Sequence, residues 1–470
     1  MHLGNERPRT VPTHAVAGDV PVPARLRQLQ DAAFAEVADL LGPDAAKAFA
    51  SCLMRTWRTC LRLEAGTAFV ITGDIPAMWL RDAVGQMRPY LVAADDAEVG
   101  DVLVAVSRRM SRLVLTDPRA NAFNDGATGA HPDPHDEPAP GPAVWERKYE
   151  LDSPAAHLTF AYQVWRAADR VDHLDQAFWL SARAILDLWE AEQDHERRSD
   201  YTFVRGGGEF AHDTLDRDGR GAPVARTGMT WSGFRPSDDR CELGYLVPAN
   251  AAAVVALEGL ADLAARGVVP PDLGTRAERL AVEIAQGIVG HGIVDGPDGP
   301  VYAYEVDGLG DAVVMDDANV PSLLSLPYLG WTTRDDPLYL RTRSLLLGPR
   351  NPFWYSGSVI SGIGSPHTPA EHVWPIALCM QALTETERGE SLAVLDALLR
   401  AWAGEPGMCE SFHVDDPWQF TRDWFCWADS LFAELVLSLT STPVPTFPPP
   451  RLPGVAAAQA AAGPDRKADR

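Results

Sequence analysis

Long apolar stretches are missing from this chain, in which no run approaches the roughly 20 apolar residues of a membrane-spanning helix. Residues 1–23 hold charges and prolines but no apolar stretch of signal-peptide length. The six cysteines show no C-x-x-C spacing, so neither a zinc knuckle nor a disulfide framework is indicated. These absences predict a cytoplasmic protein with buried thiols, no metal site and no membrane partner.

Positive charge is also scarce. Lys and Arg number 41 against 65 Asp and Glu, and the formal net charge of −24 argues against nucleic acid or an anionic membrane as a partner. The favoured ligand is therefore neutral or cationic. Fourteen tryptophans are present, and flat aromatic faces with polar edges suit sugar rings, although most tryptophans serve core packing.

Regular β-α-β alternation and strict short repeats are absent as well. Apolar residues at three- and four-residue spacing instead predict about a dozen helices from one end of the chain to the other. The first two, at 23–41 and 44–62, form a helical hairpin with Gly42 and Pro43 at its turn. The chain is thus expected to be all-α.

Long polar or glycine-rich connections alternate with these helices, at 117–146, 198–236, 290–317 and 348–368. Connections of this length tend to build binding sites. A toroid of helix pairs, with functional loops and minor β ribbons at one mouth, accounts for the alternation. We expect three segments: a disordered Pro-rich leader at 1–22, the catalytic domain at 23–440, and a disordered Pro/Ala-rich tail at 441–470.

The run TWSGFRPSDDRCELGYLVPAN, residues 230–250, places aromatic residues around the adjacent carboxyls Asp238 and Asp239. An alanine-rich helix is predicted to begin near Pro248. Adjacent carboxylates repel each other in a low-dielectric cleft, so at least one is expected to have a raised pKa and to carry a proton, as a general acid must.

A partner for this acid occurs in MCESFHVDDPWQFTRDWFCWAD, residues 408–429, where Glu410 stands among apolar residues and Arg422 can hold it ionised. Two carboxyls from distant loops fit glycosidic bond cleavage by a paired acid and base. Asp238 would protonate the departing oxygen, and Glu410 would deprotonate a water on the opposite face. A separation of about 6.5–9.5 Å would mean inversion, and about 5 Å retention.

Other stretches admit two interpretations each. On a predicted helix at 76–93, capped by Asp74, Trp79 and Asp82 share a face and Arg81 lies beside them; an isolated W-x-R-D is more commonly a core tryptophan beside a surface ion pair. The charged run WERKYELD, 145–152, is by itself typical of a solvated helix cap.

Two further stretches hold polar residues that suit either a structural role or substrate contact. Asp316, Asp317 and Asn319 precede a predicted helix at 319–329 and suit capping and substrate contact equally. His367, in the tight loop GIGSPHTP, is of a kind that is more often structural than catalytic.

Six blocks together resemble glycoside hydrolase family 125, the metal-independent exo-α-1,6-mannosidases. In chain order between Thr72 and Leu435 they are TGDIPAMWLRDA, WERKYELDS, TGMTWSGFRPSDD, MDDANVPSLLSLPYLG, SGIGSPHTP, and ESFHVDD with TRDWFCWADSLFAEL. The resemblance implies an (α/α)6 barrel, which is a six-hairpin toroid, and an inverting mechanism without a cofactor. The implied reaction removes a terminal, non-reducing α-1,6-linked mannose from a mannose-containing oligosaccharide.

The resemblance also implies roles for single residues. The family's acid is an Asp of the SDD-type block, here Asp238 with Asp239 less favoured, and its base is the Glu of the ESF-type block, here Glu410. The blocks that resemble its mannose-binding pocket contain Trp79, Arg81, Asp82, Arg235, Asp239, Asp317, Asn319 and His367. The proline-rich loop 121–142 departs from the pattern, so the sugar accepted beyond the scissile bond can differ.

Two alternatives remain open at this stage: a glycosidase of the same toroid with another linkage specificity, and a non-catalytic carbohydrate-binding protein. A terpene cyclase is disfavoured because neither Asp316-Asp317 nor Asp415-Asp416 continues as D-D-x-x-D.

Overall fold

The fold is built mainly from helices, joined by loops that carry short β ribbons. The computed structural model describes residues 20–206, 211–401 and 407–462. Its α-helices are α1 Ala24–Leu41, α2 Pro43–Thr59, α3 Leu80–Met87, α4 Ala97–Thr116, α5 Asp152–Ala168, α6 Gln176–Glu192, α7 His195–Arg198, α8 Asp216–Gly219, α9 Val247–Ala265, α10 Pro271–His291, α11 Leu326–Leu329, α12 Pro337–Leu346, α13 Pro375–Leu383, α14 Arg388–Ala401, α15 Cys426–Ser438 and α16 Pro453–Ala460. Short 3-10 helices occupy Arg88–Ala93 and Ala211–Asp213.

The strands are two to four residues long and pair antiparallel. They are β1 Leu61–Glu64, β2 Thr67–Val70, β3 Met78–Trp79, β4 Ala122–Phe123, β5 Asp136–Glu137, β6 Val144–Glu146, β7 Val204–Arg205, β8 Tyr245–Leu246, β9 Ile293–Gly296, β10 Gly299–Tyr302, β11 Glu305–Val306, β12 Ala312–Val313, β13 Trp354–Ser356, β14 Ser361–Ile363, β15 His372–Val373, β16 Ser411–His413 and β17 Phe420–Thr421. The sheets are β1-β2, β3-β4-β6, β5-β7, β8-β11-β12, β9-β10, β13-β14 and β15-β16-β17. The minor β ribbons expected in the loops are observed, for example at β7 and at β9-β10.

The hairpin of α1 and α2 confirms the helix periodicity. Gly42 stands between the two helices with φ +90°, a conformation that glycine adopts without a Cβ penalty, and Pro43 opens α2, where no backbone N–H is needed. One face of each helix is buried in a continuous apolar core. Within that core α9 packs between α5 and α10, and α15 packs against α2, α3 and α13.

Helix α9 is the one helix in the described ranges that is long and apolar enough to cross a membrane. Its apolar stretch is 89% buried inside the protein, as in the core helix of a globular domain.

Two predicted helices begin later than their sequences indicated. The helix expected from residue 76 starts at Leu80, because 78–79 pair as strand β3. The helix expected from residue 319 is limited to 326–329. There the Asp316 carboxylate accepts hydrogen bonds from the backbone N–H groups of Leu323 (2.8 Å) and Leu324 (2.9 Å), which holds the intervening chain in turns. This supports the capping interpretation of Asp316.

The predicted disordered tail is wrong for residues 441–462. Helix α16 packs against α10, with Val455 fully buried, and Arg451 donates to Glu258 of α9 at 2.8 Å. Pro and Ala composition predicted disorder, but specific partners on α9 and α10 outweigh it. Residues 463–470 lie outside the described residues, as do residues 1–19 of the predicted leader, whereas the Pro21 carbonyl accepts a hydrogen bond from Trp57.

Replacement of Arg451 by Met is expected to lower the free energy of unfolding by about 1–3 kcal/mol, because a buried carboxylate loses its charged donor. Glu258 is 1% exposed and would retain only the Leu452 N–H at 2.9 Å. Urea unfolding monitored by circular dichroism measures the change. The control Lys47→Met breaks an exposed ion pair with Asp44 and should change the free energy of unfolding by less than about 0.5 kcal/mol. Equal losses in both variants would contradict the structural role of Arg451.

Candidate active site

One pocket holds both predicted catalytic carboxyls. Aromatic rings make up much of its wall. The residues that line it are Thr72, Ile75, Trp79, Arg81, Asp82, Pro236, Ser237, Asp238, Asn319, His367, Trp374, Glu410, Arg422, Phe425 and Trp427. Seven of the ten predicted site residues are therefore brought together: Trp79, Arg81, Asp82, Asp238, Asn319, His367 and Glu410.

Backbone pairing between distant segments builds one wall of the pocket. Gly73 pairs with Phe425, and the Cys426 N–H donates to the Thr72 carbonyl at 3.1 Å. A Cβ at residue 73 would lie 2.4 Å from the Trp424 carbonyl oxygen, so only glycine allows this approach. The pairing places the segment that leads to Trp79 beside the chain that follows Glu410.

Glu410 is fixed at the start of the β15-β16-β17 sheet. Its backbone N–H is shared between the carbonyls of Thr421 (3.3 Å) and Arg422 (3.0 Å), and the residue is 5% exposed. Arg422 Nη1 donates to Glu410 Oε1 at 3.1 Å, in the position that the sequence indicated. One oxygen of the carboxyl group thus has a charged hydrogen-bond donor.

Arg422 also forms an ion pair with Asp74, with Nη2–Oδ1 at 2.7 Å. Burial opposes the charge of the guanidinium, but Glu410 and Asp74 hold the pKa of Arg422 well above its ordinary value. Asp74 was predicted to cap a helix, and this is wrong because α3 begins six residues later. Its role is to orient the arginine that contacts Glu410.

Asp238 stands at the tip of a tight hairpin in which Phe234 pairs with Arg240. Its φ is +69°, a left-handed conformation that costs free energy for a residue other than glycine and that concentrates at functional sites. The Lys148 ammonium donates to its backbone carbonyl at 2.8 Å, and Asn121 Nδ2 donates to its Oδ1 at 3.1 Å. The surrounding side chains therefore hold a strained turn that presents this carboxyl to the pocket.

The two members of the carboxyl doublet lie in different surroundings. Asp239 is 1% exposed, does not line the pocket, and its Oδ1 lies 3.1 Å from His367 Nδ1. Burial lowers the pKa of His367, but the hydrogen bond and charge of Asp239, with further contributions from Asp238 and Glu410, raise it to about 9. His367 is thus an imidazolium at neutral pH, and both of its ring nitrogens are donors.

Arg81 joins the pocket to a buried group of carboxyls. Its Nε donates to Asp82 at 3.2 Å, and its Nη1 donates to Glu150 at 2.5 Å and to Asp152 at 3.0 Å. The Trp427 ring lies 5.4 Å from the guanidinium carbon. Burial raises the pKa of Asp82, although Arg81 opposes the shift. Trp79 and Asp82 both face the pocket, although Trp79 lies on β3 rather than on the helix.

The charged run at 145–152 is not a solvated cap. Lys148 is 2% exposed and Glu150 is 1% exposed. Gly233 and Phe234 N–H groups both donate to the Tyr149 carbonyl at 3.0 Å, which places the run beside the hairpin that carries Asp238. Glu146, at the end of β6, and then Lys148 and Glu150 recur at every second position, and this two-residue period was the available signal for a shared inward face.

Three predicted substrate-binding residues lie behind the pocket wall rather than on it. Arg235 Nε donates to Glu305 at 2.5 Å beneath the Tyr304 ring, and Asp317 accepts from Ser237 Oγ at 2.7 Å. Arg235, Asp239 and Asp317 contact residues that line the pocket, but they do not line it themselves. Within the described ranges, no group of three or more His, Cys, Asp or Glu side chains is arranged to hold a metal ion.

The chain is similar to known proteins over most of its length. A model of the metal-independent α-mannosidase family GH125 matches residues 42–437. The meiotically up-regulated gene 157 protein of Schizosaccharomyces pombe is 41% identical over 425 residues, which cover 84% of this chain and 82% of that protein.

Two solved structures resemble the fold. A metal-independent α-mannosidase of Streptococcus pneumoniae, in a non-productive complex with α-1,6-mannobiose, is 42% identical with a TM-score of 0.86, over 89% of this chain and 98% of that one. A bacterial glucoamylase complexed with acarbose is 14% identical with a TM-score of 0.56, over 84% of this chain and 56% of that one, and its likeness concerns the fold alone.

Proposed function

The chain belongs to family GH125, the metal-independent α-mannosidases, and from this premise we propose that it is an inverting exo-α-1,6-mannosidase. Its substrate would be a mannose-containing oligosaccharide with a terminal, non-reducing α-1,6-linked mannose. The observation that carries the proposal is that Asp238 and Glu410, 172 positions apart by their numbers, line one pocket with aromatic walls.

The proposed reaction uses one carboxyl on each side of the scissile bond. Asp238 gives its proton to the glycosidic oxygen as the bond from that oxygen to the anomeric carbon breaks. A water attacks the opposite face of the same carbon and gives a proton to Glu410, whose Oε1 accepts a hydrogen bond from Arg422. The products are free mannose of inverted anomeric configuration and the shortened oligosaccharide.

Specificity for a single terminal sugar is supported by the small pocket and its polar groups. Arg81, Asp82, Asn319 and His367 place donors and acceptors around the cavity, and Trp79 supplies a ring face. The α-1,6 linkage is supported by the Streptococcus pneumoniae relative, which was solved with α-1,6-mannobiose.

We further propose that the helices close into the (α/α)6 toroid and that the protein acts in the cytoplasm. The toroid is supported by a succession of neighbouring helices, in which α13 contacts α15, α15 contacts α3, α3 contacts α5, α5 contacts α9 and α9 contacts α11. A reducing compartment is supported by the cysteines Cys52, Cys60, Cys241, Cys379, Cys409 and Cys426, which are all free and buried.

Proton NMR of α-1,6-mannobiose during hydrolysis tests the proposal in one measurement. The β-anomer of mannose is expected to appear first and the α-anomer later, by mutarotation. The α-1,2 and α-1,3 isomers serve as matched substrates and should be cleaved much more slowly. Early α-mannose would mean retention, preferential cleavage of another isomer would mean another linkage specificity, and binding without mannose release would mean a non-catalytic sugar-binding protein.

A further inference from the structure

A buried carboxyl outside the pocket lining, that of Glu150, lies against Asp238. The two carboxyl groups share a donor, because Asn121 Nδ2 lies 3.1 Å from both Glu150 Oε1 and Asp238 Oδ1, and also 3.1 Å from Glu146 Oε2. Glu150 Oε2 accepts from Arg81 at 2.5 Å and from Ser153 Oγ at 3.2 Å. Every oxygen of Glu150 is thus engaged, and the side chain cannot turn away from its partner.

Two ionised carboxylates that share one amide donor would place two negative charges close together in a buried site. A proton on one of them removes this repulsion and supplies a donor to the other. The pair is therefore expected to retain a single proton over a wide pH range and to titrate as a unit.

The charges around the pair favour the proton on Glu150 while the pocket is empty. Burial and the charge of Asp238 raise the pKa of Glu150 well above its ordinary value, against the effect of Arg81. Burial acts in the same direction on Asp238, but Lys148, the Glu150 hydrogen bond, His367 and Arg81 hold the pKa of Asp238 well below its ordinary value. The other charged groups near the pair include Asp82, Asp152 and Glu146, whose Oε2 lies 3.1 Å from the same Asn121 Nδ2.

We propose that Glu150 is a positioning residue that stores the catalytic proton for Asp238, so that the general acid of this enzyme is a carboxyl pair. The inference rests on the proposed function, in which Asp238 protonates the leaving oxygen. During the reaction the single proton of the pair passes from Glu150 to Asp238, and Asp238 delivers it to the glycosidic oxygen as the bond from that oxygen to the anomeric carbon breaks. The pair then holds no proton and recovers one from solvent after the product leaves.

Glu150→Gln tests the proposal, because glutamine keeps the shape of the side chain but stores no acidic proton. Asp238 would then face Lys148, His367 and Arg81 alone and would be ionised at neutral pH. Activity requires its proton, so the alkaline limb of the pH profile of kcat/KM should move to lower pH by at least about one unit. At pH 7 the hydrolysis of α-1,6-mannobiose should fall by about 10²-fold.

A substrate with an activated leaving group separates proton storage from a purely structural role. Hydrolysis of 2,4-dinitrophenyl α-mannoside needs little protonation and should fall only several-fold in Glu150→Gln, whereas a distorted pocket would slow both substrates equally. Glu258→Gln, which removes a different buried, arginine-paired carboxyl, is the matched control and should leave the pH profile unchanged. An unshifted alkaline limb in an active Glu150→Gln, or equal losses on both substrates, would overturn the proposal.

A second measurement applies to the whole protein even if Glu150→Gln fails to fold. In protein labelled with ¹³C at the glutamate side-chain carboxyl, one NMR signal at pH 7 should be that of a protonated acid and should become that of a carboxylate in Asp238→Asn. A signal unchanged by Asp238→Asn, or no such signal, would overturn the carboxyl pair. If the wild-type protein releases no mannose, the proposed function fails instead, and the two failures are thus distinguishable.

Discussion

Glu410→Gln is expected to lower kcat for α-1,6-mannobiose by about 10³–10⁴-fold, at the upper end of the effect of a general base. The amide keeps the size of the side chain but cannot take a proton from the attacking water. KM should change little, because the other groups of the pocket remain in place. Steady-state kinetics of the folded variant measure both constants.

Sodium azide provides a second test of this prediction, because the azide ion attacks the anomeric carbon without needing a general base. Added sodium azide should partly restore turnover of Glu410→Gln and yield β-mannosyl azide, since attack occurs on the face opposite the leaving oxygen. Glu371→Gln is the matched control: its carboxylate is 67% exposed and lies near His413 on the same sheet. It should retain full activity. Near-normal turnover of Glu410→Gln would exclude it as the base, and α-mannosyl azide would exclude inversion.

Asp238→Asn should lower hydrolysis of α-1,6-mannobiose by about 10²–10⁴-fold, because the leaving oxygen must then depart unprotonated. The loss on 2,4-dinitrophenyl α-mannoside should be far smaller, since that leaving group is stable as an anion. A strong dependence on the leaving group is thus the expected signature of the acid. Parallel kinetics on the two substrates measure it.

Asp239→Asn is the matched comparison for Asp238→Asn, one residue away and nearly fully buried. Its loss removes the hydrogen-bond partner of His367 and lowers the pKa of that imidazole, so that it is charged over a narrower pH range. The activity lost should be similar on both substrates. If Asp239→Asn showed the leaving-group dependence and Asp238→Asn did not, the two roles would be exchanged.

Much of the architecture was predictable, because helical periodicity and the glycine and proline residues at helix ends are local signals. The hairpin predicted at 23–41 and 44–62 is observed at 24–41 and 43–59, with Gly42 and Pro43 at its turn. Helix starts at 80 and 326 were misjudged because strand pairing at β3 and the backbone hydrogen bonds of Asp316 depend on the tertiary fold. The prediction of a disordered tail rested on composition alone. It was wrong because Arg451 binds Glu258 of α9 and the helix that contains Val455 packs against α10.

The residues of the candidate site likewise divide into those that the sequence could predict and those whose position depends on the tertiary fold. Chemistry and motif resemblance were enough to select Asp238 and Glu410, and the structure brings both to one pocket. The choice between Asp238 and Asp239 could not be read from adjacent identical letters, because it depends on a positive φ at one of them. Lys148 and Glu150 were taken for solvated charges because their burial follows from backbone contacts with a segment more than 80 positions away.

Helix α15 lies against α2 as well as α3, with Thr56 and Ser430 Oγ atoms 3.2 Å apart across 374 positions of sequence. Contacts of such range form late in folding, because a long loop must close first. On the ribosome, the segment with Asp238 emerges well before the one with Glu410. A nascent or prematurely terminated chain that lacks the segment with Glu410 would lack the proposed base, so we expect no hydrolytic activity before that segment has been made.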